Sequence, residues 1–171
     1  MDEQLKLNQE LEDSWKMQFI GQYHQTMDSK GRIVLPSTFK EILIHYYGGE
    51  VGINTSFEDP DGKLLIVFPL PVLARRLNVI RELMSKNENM RYLFEHYSGS
   101  IRGTIDSQGR IVVPQQLRSG RLNKNIVVHG RLDTIVLWDM EYFENKFRPE
   151  SEELENIKET LRNSGNLDLL F

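Results

Sequence analysis

Cysteine is absent from the 171-residue sequence, and this absence excludes several kinds of chemistry at once. Disulfide bonds, thiolate metal sites and cysteine nucleophiles all need a side chain that the chain lacks. Long apolar runs are missing too, because no stretch approaches the roughly 18 residues of a membrane-spanning helix. The first residues, MDEQLKLNQELEDS, lack the basic and apolar regions of a signal peptide. The sequence therefore predicts a cytoplasmic protein with no membrane partner.

Signals for catalysis are equally sparse. His24, His45, His96 and His129 are scattered without the short paired spacing of a helical metal site. No phosphate-binding glycine loop, G-x-S-x-G elbow or H-E-x-x-H motif occurs. The Gly-Ser pair in YSGS, residues 97–100, also occurs in self-processing decarboxylases, but Gly-Ser pairs are common in linkers. We expect no enzyme, no catalytic residue, no metal, no cofactor and no small-molecule substrate.

Acidic residues are concentrated at the two ends of the chain. Residues 1–14 hold five acidic residues and one basic residue, and residues 149–171 hold six acidic and two basic residues. The 134 residues between them carry 18 basic and 14 acidic side chains, although the whole chain has a net charge of -4. Charge acts locally, within about 10 Å at ordinary ionic strength. The net positive body permits a polyanionic partner.

One short motif occurs twice. The stretch DSKGRIVLP at residues 28–36 returns as DSQGRIVVP at residues 106–114, with seven of nine residues identical. Further along each copy, KLLIVFPLPVL at residues 63–73 and DTIVLWDMEYF at residues 133–143 both indicate an apolar strand that leads into a helix. The sequence therefore predicts two tandem copies of one strand-rich unit.

Each copy of the motif predicts a β-hairpin. Alternating side chains at residues 22–27 and 32–35 indicate two strands joined by a turn in which Gly31 takes a positive φ. Asp28 is placed to accept hydrogen bonds from turn amides and to pair with Arg32. Proline then ends the second strand and starts a helix. The second copy carries the same key positions: Asp106, Gly109 and Arg110.

Two interpretations of the Asp-x3-Arg pattern stay open on physical grounds. One is a surface ion pair beside a tight turn, worth no more than about 1 kcal/mol. The other is recognition of an anion or a nucleic acid, because arginine suits bidentate contact with phosphate or with guanine O6 and N7. Both copies use arginine although other residues would support the turn equally well, and this raises recognition to equal standing with the ion-pair interpretation.

Residues 19–41 (FIGQYHQTMDSKGRIVLPSTFKE) and 105–118 (IDSQGRIVVPQQLR) closely resemble the MraZ family of bacterial transcriptional regulators. The resemblance covers roughly residues 17–147, and each unit resembles the AbrB-like, or SpoVT-AbrB, swapped-hairpin module. It implies an α+β, mainly β fold: a pseudo-two-fold swapped-hairpin barrel made from two tandem units in one chain, with flanking helices.

The expected organisation has four segments, of which the two acidic ends lie outside the family resemblance. These are an acidic extension at 1–16, a first AbrB-like unit at 17–92 with its core at about 21–70, a second unit at 93–148 with its core at about 99–143, and an acidic tail at 149–171. Leu154, Ile157 and Leu161 recur at helical spacing in the tail. Disorder and docking onto a neighbouring subunit are the alternatives for this tail.

The resemblance also implies a function, that of a sequence-specific DNA-binding regulator that represses the division and cell-wall gene cluster. It implies that a homo-oligomeric ring binds tandem repeats in the double-stranded DNA upstream of its own gene. It also implies association with the nucleoid. Its implied DNA contacts are Lys30, Arg32 and Arg110, and its implied loop-supporting residues are Asp28, Gly31, Asp106 and Gly109. Gln108 departs from the pattern, because such loops frequently carry a basic residue at this position. The alternative is a non-DNA oligomeric scaffold or an antidote-type protein-binding module.

Overall fold

The computed structural model describes residues 3–171 and divides the chain into two compact units. The first unit ends at Met140, and the second covers Glu141–Phe171. Residues 1 and 2, with which the expected acidic extension begins, lie outside the described residues. From Glu3 onward this extension is a helix, α1 (Glu3–Ser14), followed by a short 3-10 turn.

Helices and short strands alternate along the first unit. After α1 they are β1 (Gln22–Thr26), β2 (Arg32–Val34), α2 (Ser37–Tyr47), β3 (Glu50–Thr55), β4 (Leu64–Pro69), α3 (Leu70–Met84), α4 (Met90–Ser98), β5 (Ile101–Thr104), β6 (Arg110–Val112), α5 (Gln115–Arg118), β7 (Asn125–Arg131) and β8 (Thr134–Asp139). Helix α6 (Met140–Lys146) begins at the last residue of this unit. The order strand, strand, helix, strand, strand, helix therefore occurs twice, from β1 to α3 and from β5 to α6.

Prolines mark the helix starts, as the sequence predicted. Pro36 directly precedes α2, and Pro114 directly precedes α5. Proline has no N–H for a sheet ladder, while its fixed φ suits entry into a helix. The two apolar runs also form the predicted elements, since β4 continues directly into α3 and β8 into α6.

Strand pairing crosses between the two halves of the first unit, which run from β1 to α3 and from β5 to β8. Six strands form one antiparallel sheet in the order β1-β7-β8-β4-β3-β5, and β2 pairs with β6 in a separate two-stranded ribbon. The prediction that β1 and β2 pair as a hairpin is wrong, because β1 pairs with β7 and β2 with β6. The three-residue β2 could satisfy only part of β1, whereas β7 pairs with all five of its residues.

The architecture is mixed α and β with a large antiparallel sheet, which agrees with the α+β class. The "mainly β" part of that expectation does not hold, because the described helices cover more residues than the described strands. The described strands form an open sheet and a ribbon rather than a closed hydrogen-bonded barrel. No helix among residues 3–171 has the length and apolarity needed to cross a bilayer.

The sheet and the ribbon share one hydrophobic core. Ile33 and Ile111 pair at the centre of the ribbon, and they are 0% and 1% exposed. Phe19 and Phe39 pack edge to face beside them with ring centroids 5.3 Å apart. The sheet contributes residues of β3, β4, β7 and β8: Val51, Ile53, Leu65, Val67, Ile126, Val128, Ile135 and Leu137. Because the ribbon buries its isoleucines, its opposite face points to solvent.

The second unit contains the helix α7 (Ser151–Ser164) and a 3-10 turn (Leu167–Leu170). A capping box starts α7, in which the Glu150 N–H donates to the Glu153 carboxylate at 3.0 Å. Leu154 and Ile157 remain exposed along this helix. Most of the tail is thus helical.

Candidate nucleic-acid interface

The first signature loop, residues 28–32, is a tight turn organised by Asp28. Its Oδ1 accepts hydrogen bonds from the backbone N–H groups of Lys30 and Arg32, each at 2.9 Å. Two backbone bonds close the same turn: Gly31 N donates to Asp28 O at 3.0 Å, and Asp28 N donates to Arg32 O at 3.1 Å. A turn leaves amide groups without a strand partner, and the carboxylate satisfies two of them. One side chain therefore determines the backbone path that leads into the arginine.

The second signature loop, residues 106–110, has the same geometry. Oδ1 of Asp106 accepts from the N–H groups of Gln108 and Arg110, each at 2.9 Å. Gly109 N donates to Asp106 O at 3.0 Å, and Asp106 N donates to Arg110 O at 2.9 Å. The replacement of lysine by Gln108 leaves the backbone unchanged, so the two loops differ in charge and not in shape.

The second oxygen of each aspartate holds the arginine side chain. Arg32 Nε donates to Asp28 Oδ2 at 2.5 Å, and Arg110 Nε donates to Asp106 Oδ2 at 2.7 Å. The predicted ion pair is therefore present in both loops. The pKa of both carboxyl groups lies below the ordinary value of 3.8. The main cause is the hydrogen bond from the backbone N–H of the arginine, and the second is the hydrogen bond from its guanidinium. Both carboxyl groups are therefore ionised near neutral pH.

The ion pairs leave the outer ends of the guanidinium groups available. Within the described part of the chain, the hydrogen bonds from the Arg32 and Arg110 side chains run through Nε, and neither Nη atom has a protein acceptor. These side chains are 41% and 34% exposed. A guanidinium held at Nε presents two Nη donors as a fork, which matches phosphate oxygens or guanine O6 and N7.

Glycine is required in both loops, but the surroundings differ. Gly31 and Gly109 have φ of +81° and +78°, as predicted, and L side chains rarely adopt these values. A Cβ at Gly31 would lie 2.6 Å from the Val113 backbone oxygen and 2.6 Å from Arg118 Nη1. A Cβ at Gly109 would meet the flexible Lys40 side chain at 3.1 Å. The first loop thus has no room for a side chain, whereas the second has some.

The ribbon brings both arginines to one surface. Its register pairs Arg32 with Val112 and Val34 with Arg110 on either side of the buried isoleucine pair. Residues two apart on a strand point to the same side, so all four side chains lie on the solvent side. Diagonal positions across an antiparallel pair lie about 7–8 Å apart. We call this surface the ribbon face: Arg32, Val34, Arg110 and Val112.

A cation from the opposite half of the unit supports each loop. Lys40 on α2 donates from Nζ to the Ser107 carbonyl of the second loop at 2.8 Å. Arg118 on α5 donates from Nη1 to the Val113 carbonyl at 2.8 Å and from Nη2 to the Ser29 carbonyl of the first loop at 3.4 Å. The helix that follows one loop therefore positions the other loop.

Sequence reasoning missed Lys40 and Arg118 as loop-supporting residues. They are separated by 78 residues, the same offset as the two signature loops, and both are cationic. Reciprocal backbone bonds reinforce the same arrangement, since Leu35 N donates to Gly109 O and Val113 N donates to Gly31 O, each at 2.8 Å. Comparing the two copies beyond their prolines would have identified the cation pair.

Two of the residues considered for catalysis, Ser100 and His96, lie away from the signature loops and contact backbone carbonyls. The Ser100 hydroxyl donates to the Tyr97 carbonyl at 2.7 Å, and His96 Nε2 lies 2.9 Å from the Thr55 carbonyl oxygen. The His96 contact joins the C-terminal end of α4 to β3, whereas the Ser100 bond is local to the end of α4. Among residues 3–171, no group of three or more histidine, aspartate or glutamate side chains is placed to hold a metal ion.

Fold and site together define a class of protein: a small α+β chain whose strands pair between its two halves and which presents two aspartate-anchored arginines on one surface. A family model described as "MraZ protein, putative antitoxin-like" matches residues 97–164. Curated relatives match most of the chain, and each is named Transcriptional regulator MraZ. The protein from Moorella thermoacetica is 30% identical over 145 residues, which cover 84% of this chain and 96% of the relative.

The other relatives agree. The protein from Leuconostoc citreum is 30% identical over 145 residues, with 84% of this chain and 96% of the relative covered. The protein from Alkalilimnicola ehrlichii is 32% identical over 130 residues, with 74% and 83% covered. With identity sustained over nearly the full length of its relatives, the chain belongs to the MraZ family of transcriptional regulators.

Proposed function

We propose that this protein is a sequence-specific DNA-binding transcriptional regulator that contacts double-stranded DNA through the ribbon face. The observation that carries the proposal is the pair of arginines on one outward surface. Each is held at Nε by an aspartate, and its Nη donors have no acceptor among the residues that the structure describes. A two-stranded ribbon has the size that the major groove of B-DNA admits. The names of the relatives support the same role.

The residues of the two loops make different contacts with DNA. Lys30 is exposed at the tip of the first loop and neutralises a phosphate, while Arg32 and Arg110 contact bases or brace against the backbone. The two aspartates hold the guanidinium groups so that little side-chain freedom is lost on binding. Gln108 contributes no charge, so the first loop makes the stronger contact. Affinity falls with salt, because each neutralised phosphate releases counterions.

Assembly multiplies these few contacts. We extend the proposal to a homo-oligomeric ring that engages tandem repeats upstream of its own gene as a nucleoid-associated repressor of the division and cell-wall cluster. Linked binding modules raise avidity by about 10²–10⁴ when their spacing fits the sites. In the same proposal, segments 17–92 and 93–148 form a pseudo-two-fold swapped-hairpin unit. Its exchanged strands are β1, which pairs with β7, and β5, which pairs with β3.

Fluorescence anisotropy tests the DNA contact. The purified full chain is titrated against a duplex from its own upstream region and against a scrambled duplex, over a range of salt concentrations. Arg32→Ala and Arg110→Ala are compared with Arg76→Ala, a matched control on α3 whose side chain is 44% exposed and ion-paired with Asp133 at 2.5 Å. We expect the two ribbon variants to lose binding and the control to keep it.

The pattern of loss separates base from phosphate contact. Loss of discrimination between upstream and scrambled DNA indicates that an arginine reads bases, whereas equal weakening on both indicates a phosphate contact. A protein that shows no preference at any salt concentration is not a sequence-specific DNA binder, and the scaffold alternative then replaces this proposal.

Repeat spacing tests simultaneous engagement by a ring. Inserting half a helical turn between two upstream repeats rotates one of them to the far side of the duplex. We expect this insertion to abolish the avidity gain, while insertion of a full turn preserves much of it. Unchanged affinity after the half-turn insertion would show that each repeat is bound independently.

Protein binding is the second candidate, because the matched family model is described as antitoxin-like. An antidote-type module usually has one AbrB-like unit and a disordered toxin-binding tail, whereas this chain carries two signature loops and a tail that is helical where described. Regulation of transcription therefore remains the better-supported function. Purification from the native cell with a stoichiometric protein partner, together with absent DNA preference, would favour the second candidate.

A further inference from the structure

Two valines share the outward surface of the ribbon with the two arginines. Val34 and Val112 are 50% and 54% exposed, whereas the neighbouring isoleucines are almost completely buried. The two valines occupy equivalent positions, because 78 residues separate them, as they separate the two signature loops. The hydrophobic core does not use their side chains.

Strand propensity alone does not explain these valines. Threonine is also β-branched and suits a strand, and its hydroxyl would hydrogen-bond to water on an exposed face. Isolated exposed apolar residues are ordinary on protein surfaces. Here, however, each valine pairs across the ribbon with an anchored arginine, Val34 with Arg110 and Val112 with Arg32, at a Cβ separation of about 5 Å. Each anchored cation therefore has a branched apolar group directly beside it.

The major groove offers one apolar group to such a surface, the C5-methyl group of thymine. Arginine pairs with the O6 and N7 atoms of guanine in the same groove. A ribbon that places an arginine fork and a valine side by side matches a guanine with a thymine close to it. The pseudo-symmetric arrangement offers this combination twice on one surface.

We propose that Val34 and Val112 are specificity residues that pack against thymine methyl groups in the major groove while the arginines contact neighbouring bases or phosphates. This inference deepens the proposed function and rests on it. It names the chemistry of the recognised site: DNA whose C5-methyl groups lie next to the bases that the ribbon face contacts. Burial of one methyl group corresponds to about fourfold in affinity.

Replacing thymine by deoxyuridine tests the proposal, because this exchange removes the methyl group and leaves the hydrogen-bonding edge intact. The upstream duplex is prepared with thymine and with deoxyuridine, and both are titrated with the full chain by anisotropy. The protein variants are Val34→Ala combined with Val112→Ala, and the same pair of positions changed to threonine, which keeps the strand propensity. Val79→Ala on α3 is the control, since Val79 is similarly exposed at 51% and lies off the ribbon.

We expect the unaltered protein and the Val79→Ala control to bind the deoxyuridine duplex about four- to sixteenfold more weakly, for one or two lost methyl contacts. The alanine pair binds the thymine duplex more weakly and no longer distinguishes thymine from deoxyuridine. The threonine pair, which keeps one methyl group per side chain, gives an intermediate discrimination. The comparison on the unaltered protein does not depend on the folding of any variant.

Two results overturn the inference. In the first, the unaltered protein binds upstream DNA in an arginine-dependent manner but binds the thymine and deoxyuridine duplexes equally. In the second, deoxyuridine weakens the unaltered protein and the alanine pair by the same factor, which places the methyl contact elsewhere. Both leave the proposed DNA-binding function intact. Failure of that function has a different signature: no preference of the unaltered protein for upstream over scrambled thymine DNA.

Discussion

Alanine at Gly31 should destabilise the protein much more than alanine at Gly109, although the two glycines have nearly the same φ. A left-handed backbone costs a residue with a Cβ about 1–2 kcal/mol. At Gly109 this is most of the expected loss, because the nearest group is a lysine side chain at 3.1 Å that can move aside. We therefore expect Gly109→Ala to lower the free energy of unfolding by about 1–2 kcal/mol.

The site of Gly31 adds a steric term. The new Cβ would lie 2.6 Å from the Val113 carbonyl oxygen, and that backbone cannot retreat easily, since Val113 N donates to Gly31 O at 2.8 Å. Forcing an extra carbon into a packed position typically costs about 1–3 kcal/mol. The total expected for Gly31→Ala is therefore about 2–5 kcal/mol. Adding Arg118→Ala removes the other close group and should relieve only part of this loss.

Urea unfolding followed by circular dichroism measures the difference, with the slope of the transition checked for each variant. A shift in midpoint at constant slope reports a change in stability. Equal destabilisation by Gly31→Ala and Gly109→Ala would refute the argument, because it would show that the Val113 carbonyl is free to move. Complete rescue of Gly31→Ala by Arg118→Ala would place the clash on the side chain and contradict the role given to the backbone.

Three further predictions concern charged residues in and beside the two loops. Lys30→Gln should make the negative slope of log affinity against log salt shallower by about 0.9, because one phosphate contact is lost. Gln108→Lys should steepen it by a similar amount, because one phosphate contact is gained. Unchanged slopes in anisotropy titrations would show that neither residue lies in the DNA interface. Arg118→Met should lower the free energy of unfolding by about 1 kcal/mol and Lys40→Met by less, because Arg118 donates to two carbonyls and Lys40 to one. A larger loss for Lys40→Met in urea unfolding would contradict the support that these hydrogen bonds give to the loops. Asp28→Asn should be destabilising near neutral pH by an amount that shrinks in acid: the folded pKa of Asp28 lies below 3.8, so its stabilising effect is complete above that value and is lost as the pH falls through the folded pKa. A difference between the two proteins that stays constant in unfolding experiments down to strongly acidic pH would show that the charge of Asp28 is irrelevant.

Local features of the fold could be predicted because their causes lie within a few residues. Proline marks the starts of α2 and α5, and two apolar runs form β4 and β8. The strand partners could not be predicted in this way. Alternation along residues 22–27 shows that a strand is present, but it does not show which strand completes its hydrogen bonds. In the structure, the seven-residue β7 pairs with the whole of β1, and the short β2 pairs with β6.

The candidate site shows the same division. The ion pairs of Asp28 with Arg32 and of Asp106 with Arg110 lie within one turn, so residue spacing was sufficient to predict them. The support from Arg118 was missed, because its contact with the Ser29 carbonyl spans 89 residues. The contrast between the two glycine positions was invisible in sequence as well, since it depends on which atoms approach from the other half of the unit.

The amino-acid sequence by itself determined the two signature loops, because an aspartate, a glycine and an arginine at fixed spacing close a turn through bonds that they make among themselves. Tertiary structure alone decided that both arginines share a surface. That result requires β2 to pair with β6 in a register that places Arg32 and Arg110 diagonally and buries Ile33 against Ile111. Burial of this isoleucine pair is a property of the assembled core, and it is what turns both arginines and both valines outward.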